Sequence, residues 1–152
     1  MEKQIQITLE QQADFRFVVN FGNPTIPLLI TDEPAPLGTD QGPNPEQMLG
    51  TAVANCLAAS LLFAMRKFKN DPAPLRAVAT VSTARNAQNR VRIGAIAVDL
   101  HLGVPSSTLA MVERILAQFE DFCVVTQSVR TAIPVAVRVL EPDGTVLHAS
   151  GT

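Results

Sequence analysis

The order of apolar and polar side chains along the chain predicts alternating strands around one long helix. Ile5, Ile7 and Leu9 alternate with Gln4, Gln6, Thr8 and Glu10, the period of two that marks a strand with one dry face. Phe15, Phe17, Val19 and Phe21 repeat it, with Arg16 on the opposite face, and Gln11 to Asp14 between them can turn to make a hairpin. A weaker third strand is expected over Thr25 to Ile30. The stretch from Asp32 to Pro43 is rich in proline and glycine and reads as an irregular connection, a type of segment that often carries function. Beyond the central helix, Leu75 to Ser82 alternates again, Arg85 to Asn89 reads as a turn, and Val91 to Leu102 is a long strand apolar on both faces, hence central in a sheet. Pro105 and Ser106 start a second helix whose Leu109, Val112, Leu116 and Phe119 keep helical spacing to about Phe122. A short helical turn over Val124 to Arg130, a strand through Val135, Val137 and Val139, a Pro142-Asp143-Gly144 turn and a last strand at Thr145 to His148 complete the chain.

The central helix carries the clearest boundary signals. Asn44 suits the N-cap, Pro45 the first helical position, and Glu46 the positive end of the helix dipole. From Gln47 to Met65 there is no charge, and apolar side chains occur on every side, so the helix is expected to be wrapped by protein. Charge returns at Arg66, Lys67 and Lys69, and Pro72 and Pro74 stop the helix. A membrane span needs roughly 20 predominantly apolar residues. Gln47, Gly50, Thr51, Asn55 and Ser60 interrupt this run, and its flanks read as soluble strands, so a buried core helix is the expectation.

Composition narrows the function classes. A chain of 152 residues forms one domain, 1–152, that buries about two thirds of its unfolded surface and needs no disulfide or metal to fold. With a net charge of −2 and 17% charged residues there is no basic footprint for nucleic acid or for an anionic membrane. There is no Trp or Tyr for base stacking. The polar N-terminal segment has no apolar signal region, which places the protein in the cytoplasm with its thiols in a reducing pool. No cofactor is expected. A metal site is disfavoured by the absence of a C-x-x-C pair and by having only His101 and His148 to complete a ligand set.

The candidate chemistry is that of the two cysteines, Cys56 within the long helix and Cys123 after the second. Reactivity requires thiolate, and a thiol inside a buried helix needs a nearby cation to form one. Cys123 would face the amide groups of a helix starting at Val124, although Glu120 and Asp121 oppose an anion there. On these neighbours alone, a pair of buried bystander thiols and a redox couple both remain open.

The block N-P-E-Q-M-L-G-T-A-V-A-N-C-L at 44–57, together with F-C-V-V-T-Q-S at 122–128, resembles the osmotically inducible protein C and organic hydroperoxide resistance (OsmC/Ohr) family over nearly the whole chain. The resemblance implies an α+β fold in which antiparallel curved sheets surround a long buried central helix, with a second helix, in an intertwined homodimer. It implies thiol-dependent reduction of organic hydroperoxides, with Cys56 similar to the peroxidatic cysteine, Cys123 to the resolving one, and Glu46 to the carboxylate that holds an activating arginine. The family places that arginine near the N-terminus, and Arg16 is the candidate here, with ordinary solvation as its other reading. The second motif departs from the commoner C-P-x-S form, having Cys123-Val124-Val125-Thr126.

Helix geometry adds one constraint. Glu46 and Cys56 are separated by about 15 Å along one straight helix and roughly 80° around it, so they cannot meet within it. If both serve one site, a second copy of the chain must bring them together. The implied substrate is an alkyl or lipid hydroperoxide received in an apolar cleft lined by residues such as Leu57, Phe63 or Phe122. The implied reductant is a dithiol, a lipoyl group or a thioredoxin-like donor. The alternative is a non-enzymatic dimer of the same fold that binds an apolar small molecule with both thiols inert.

Overall fold

The computed structural model describes residues 2–151, and the chain divides into two compact units, Met1–Met48 and Leu49–Thr152. In the first unit, β1 (Thr8–Ala13), β2 (Arg16–Asn20) and β3 (Leu29–Thr31) form an antiparallel sheet in the order β1-β2-β3. The hairpin turns at Asp14-Phe15, with Asp14 at a positive φ of 51°. The expected first strand therefore shifts: Gln11 to Ala13 lie in β1, while residues 2–7 are not in a strand. The last rung pairs Thr8 with Asn20, and beyond it the chain supplies no ladder to hold an extended segment. Every β1 residue is exposed, so the dry face read from Ile5, Ile7 and Leu9 is not dried within this unit.

The irregular segment after β3 is organised by one buried side chain, Asp32. Its Oδ1 accepts from the Glu33 amide at 2.8 Å, and its Oδ2 accepts from the Thr39 amide, the Thr39 hydroxyl and the Gln41 amide at 3.2, 2.9 and 3.2 Å. Burial alone would raise this carboxyl's pKa, but those bonds outweigh it and hold the group below its ordinary value.

The long helix α1 spans Pro45–Lys67. Its start is the expected one: Asn44 Oδ1 accepts from the Gln47 amide and Gln47 Oε1 from the Asn44 amide, both at 2.9 Å, a reciprocal capping box. In the second unit the helix buries Gly50, Val53, Ala54, Leu57, Leu61 and Met65, a single stripe at helical spacing. The opposite face, including Thr51, Asn55, Ala59 and Phe63, is exposed. The expectation of a helix wrapped on all sides by its own chain is thus corrected to one covered face. Gly50 is required by close approach, since a Cβ there would lie 2.8 Å from Val81 Cγ2.

The second sheet contains β4 (Arg76–Arg85), β5 (Val91–His101), β6 (Val135–Leu140) and β7 (Val146–Ser150), in the order β4-β5-β6-β7. As expected, β5 is an inner strand, and Ile96, Val98 and Leu100 join Val135, Val137 and Val139 of β6 in the core. One pairing departs from the antiparallel expectation. β5 and β6 run parallel, from Ile96 opposite Val135 to His101 opposite Leu140. A parallel pair needs a long crossover, which the segment between Leu102 and Pro134 provides.

In that crossover the second helix expected from Pro105 to about Phe122 is broken up, while the short helical turn expected over Val124 to Arg130 is found. The crossover comprises a 3-10 turn at Ser106–Thr108, α2 (Val112–Gln118), a second 3-10 turn at Phe119–Phe122, and α3 (Val124–Val129). The break before α2 has a distant cause. The buried Asn70 side chain donates to the Ala110 carbonyl at 2.7 Å and accepts from its amide at 2.8 Å, so the backbone of Ala110 is not free for helical bonding. Met111 follows in the left-handed region at φ 61°.

Candidate functional site

Cys56 lies on α1 between the core residues Val53 and Leu57, and it is half-buried. Cys123 ends the second 3-10 turn and occupies the N-cap position of α3, fully buried at 0% exposure. Both are free thiols, and the fold brings Cys56 near enough to Cys123 to perturb its titration. Cys123 Sγ also donates to Thr126 Oγ1 at 3.0 Å. Burial pushes the Cys123 thiol above its ordinary pKa and the Cys56 contact adds to this, against the opposing pull of the Thr126 hydroxyl and amide. Cys123 is therefore held as a protonated, solvent-shielded thiol. Cys56 is the more exposed residue of the two.

The other two expected site residues belong to the first unit. Arg16 Nη2 donates to Thr39 Oγ1 at 3.1 Å, and its Nε lies 3.9 Å from Asp32 Oδ2, buried without a hydrogen-bond acceptor. Asp32 is its carboxylate neighbour. Glu46 is half-buried in the first turn of α1. In the same unit a cavity of about 400 Å³ is lined mainly by Leu9, Phe15, Phe17, Pro45 and Met48, with Asp32 at its polar end. The apolar cleft expected around Leu57, Phe63 and Phe122 is not formed as such: Leu57 is closed in the core, whereas Phe63 and Phe122 project into solvent.

The family model described as OsmC-like protein matches residues 38–138, a span that includes the capped start of α1 and both cysteines. The chain belongs to the OsmC-like family. No curated protein matches it. Among solved structures, an OsmC-like protein of unknown function from Vibrio cholerae superposes with a TM-score of 0.76 at 13% identity, over 91% of this chain and 100% of that one. An organic hydroperoxide resistance protein of Legionella pneumophila, described as a predicted redox protein, gives 0.67 at 17% identity, over 90% and 96%. An organic hydroperoxide resistance protein of Bacillus subtilis gives 0.65 at 14% identity, over 90% and 98%. These likenesses establish the shared α+β architecture of two sheets and a long helix.

In this OsmC-like chain a second polar cluster braces the segment that carries Cys123. Glu120 accepts from Arg130 Nη2 at 2.8 Å and from the Ser150 hydroxyl at 2.8 and 2.7 Å, and its Oε2 meets His148 Nε2 at 2.9 Å. Its backbone carbonyl accepts the Cys123 amide at 3.0 Å. Burial raises the Glu120 carboxyl, but the bonds from Arg130, His148 and Ser150 outweigh that and leave it below the ordinary value of 4.5. A carboxyl depressed on folding adds stability that is complete above the unfolded pKa and is lost as pH falls through the folded one. Thermal stability should accordingly fall on acidification below about pH 4.5, and Glu120→Gln should flatten that fall. An unchanged acid limb in a thermal melt of the variant would refute this assignment.

Sequence reasoning missed Thr126, Asp32 and the Glu120 cluster. Thr126 had a local signal, since three residues separate it from Cys123 and a helix N-terminus brings such positions together. Glu120, His148 and Ser150 meet only through the register of β7 on β6, which no local pattern encodes.

Proposed function

We propose that this protein reduces organic hydroperoxides with its two thiols. The observation that carries the reading is the proximity of Cys56 and Cys123, a half-buried thiol beside a shielded one, both within the span matched by the family. In the first step Cys56 thiolate attacks the outer peroxide oxygen, the O–O bond breaks, and an alcohol leaves while Cys56 becomes a sulfenic acid. Cys123 then forms a disulfide with Cys56 and water leaves. A dithiol of the lipoyl type, or a thioredoxin-like donor, returns both thiols and is itself oxidised to a disulfide.

The thiolate needs a cation, and Arg16 is the candidate; within one chain its carboxylate neighbour is Asp32, so pairing with Glu46 is proposed only for the assembled site. Because α1 is continuous from Pro45 to Lys67, Glu46 and Cys56 of one chain stay about 15 Å apart. The working unit is accordingly a homodimer, with Glu46 delivered to Cys56 by a second copy. The apolar surface left uncovered on each unit, Ile5, Ile7 and Leu9 on one and Phe63, Phe122 and Val124 on the other, supports such an assembly. An apolar substrate tail gains roughly 0.8 kcal/mol per buried methylene, which favours alkyl and lipid hydroperoxides over hydrogen peroxide.

One titration tests the reading. A stoichiometric dose of an organic hydroperoxide should remove two hydrogens per chain by intact mass, from a species that sediments as a dimer. No mass change, slow oxidation confined to Met48, Met65 and Met111, or a monomer that consumes peroxide would overturn it.

A further inference from the structure

The two sulfurs of the candidate couple are inequivalent in a way that bears on how a disulfide between them would be reopened. Cys123 is enclosed at 0% exposure, while Cys56 is only half-buried. Thr126 is also enclosed at 0% exposure, and its hydroxyl contacts Cys123 Sγ at 3.0 Å. Among the described residues this hydroxyl makes no other hydrogen bond, so it can rotate. It accepts the thiol proton when Cys123 is neutral and can donate its own proton when Cys123 carries negative charge. Thiol–disulfide exchange favours attack on the accessible sulfur, which selects Cys56, and departure of a stabilised thiolate; burial of Cys123 works against the second, and the Thr126 hydroxyl at 3.0 Å is the group placed to offset it.

We propose that Thr126 is a catalytic residue of the reductive half-cycle: it stabilises Cys123 as the leaving thiolate, so that an incoming dithiol always attacks Cys56. This rests on the disulfide of the reading above and adds a direction to it. An external thiolate sulfur bonds to Cys56 Sγ, the Cys56–Cys123 bond breaks, and its electron pair remains on Cys123 Sγ under the Thr126 hydroxyl proton. The second thiol of the reductant then attacks its own sulfur in the mixed disulfide, which releases Cys56 thiolate. The dithiol has lost two electrons and the cysteine pair has gained two. Cys123 finally takes the proton given up by the reductant's thiols, and Thr126 returns to accepting.

The test forms the disulfide with diamide, so it does not depend on peroxide reactivity. Reduction of the diamide-formed disulfide by excess dithiothreitol, followed by alkylation quench and intact mass, should be about tenfold or more slower in Thr126→Val. Thr126→Ser, which restores the donor, should be within about twofold of the unaltered protein. Peptide mapping after a brief pulse of glutathione should place the mixed disulfide on Cys56. Equal rates in the valine and serine variants, or glutathione on Cys123, would overturn the proposal. A diamide disulfide that behaves as stated in a protein inert to organic hydroperoxide would instead overturn the peroxidase reading and leave the role of Thr126 standing.

Discussion

Cys56→Ser is expected to abolish turnover of an organic hydroperoxide with a dithiol reductant, by a factor of about 10⁴ or more, as removal of a nucleophile from a concerted site does elsewhere. The reason is chemical: a serine hydroxyl carries no appreciable anion at neutral pH and cannot be oxidised by a peroxide. Cys123→Ser should behave differently. The first step needs only Cys56, so one equivalent of alcohol should form and the protein should gain a single oxygen as a sulfenic acid that dimedone traps. Further turnover should fall sharply, because no second thiol stands beside Cys56 to condense with it. A coupled reductant assay and intact mass on both variants check this. Full turnover by Cys56→Ser would end the peroxidase reading.

Phe119→Ala should be the most destabilising single truncation near the site, by about 3–5 kcal/mol. Phe119 is fully enclosed, and its ring meets that of His148 edge-on at 6.0 Å with an interplanar angle of 65°. It opens the 3-10 turn that leads into Cys123, and Glu120 beside it ties that turn to β7. Domain stabilities of about 5–15 kcal/mol leave little margin for such a loss. Urea denaturation should show a large drop in midpoint with an unchanged slope, and Phe119→Leu, which leaves a smaller void, should lose much less. A loss below about 1 kcal/mol for the alanine variant would show that the core collapses around the gap.

The capped start of α1, the inner strand β5 and the turn at Pro142 to Gly144 were legible in the sequence, because each depends on residues within a few positions of one another, whereas the single buried stripe from Gly50 to Met65 was not, since apolar side chains occur all round the helix. Capping, helical periodicity and turn chemistry are short-range physics. The cysteines were legible as candidates, and the family resemblance implied roles for them, but local sequence left inert thiols and a redox couple both open.

What the sequence determined by itself was the set of elements, the uncharged helix and the presence of two thiols. Tertiary structure alone decided that Cys123 is enclosed near Cys56, that Asn70 breaks the crossover at Ala110, that β5 and β6 run parallel, and that Glu120 collects Arg130, His148 and Ser150. Each of these joins residues whose separation along the chain carries no periodic signal. Their meeting follows from strand register and from the packing of the crossover on the sheet, and the burial that sets the protonation of Cys123 exists only once that packing is complete.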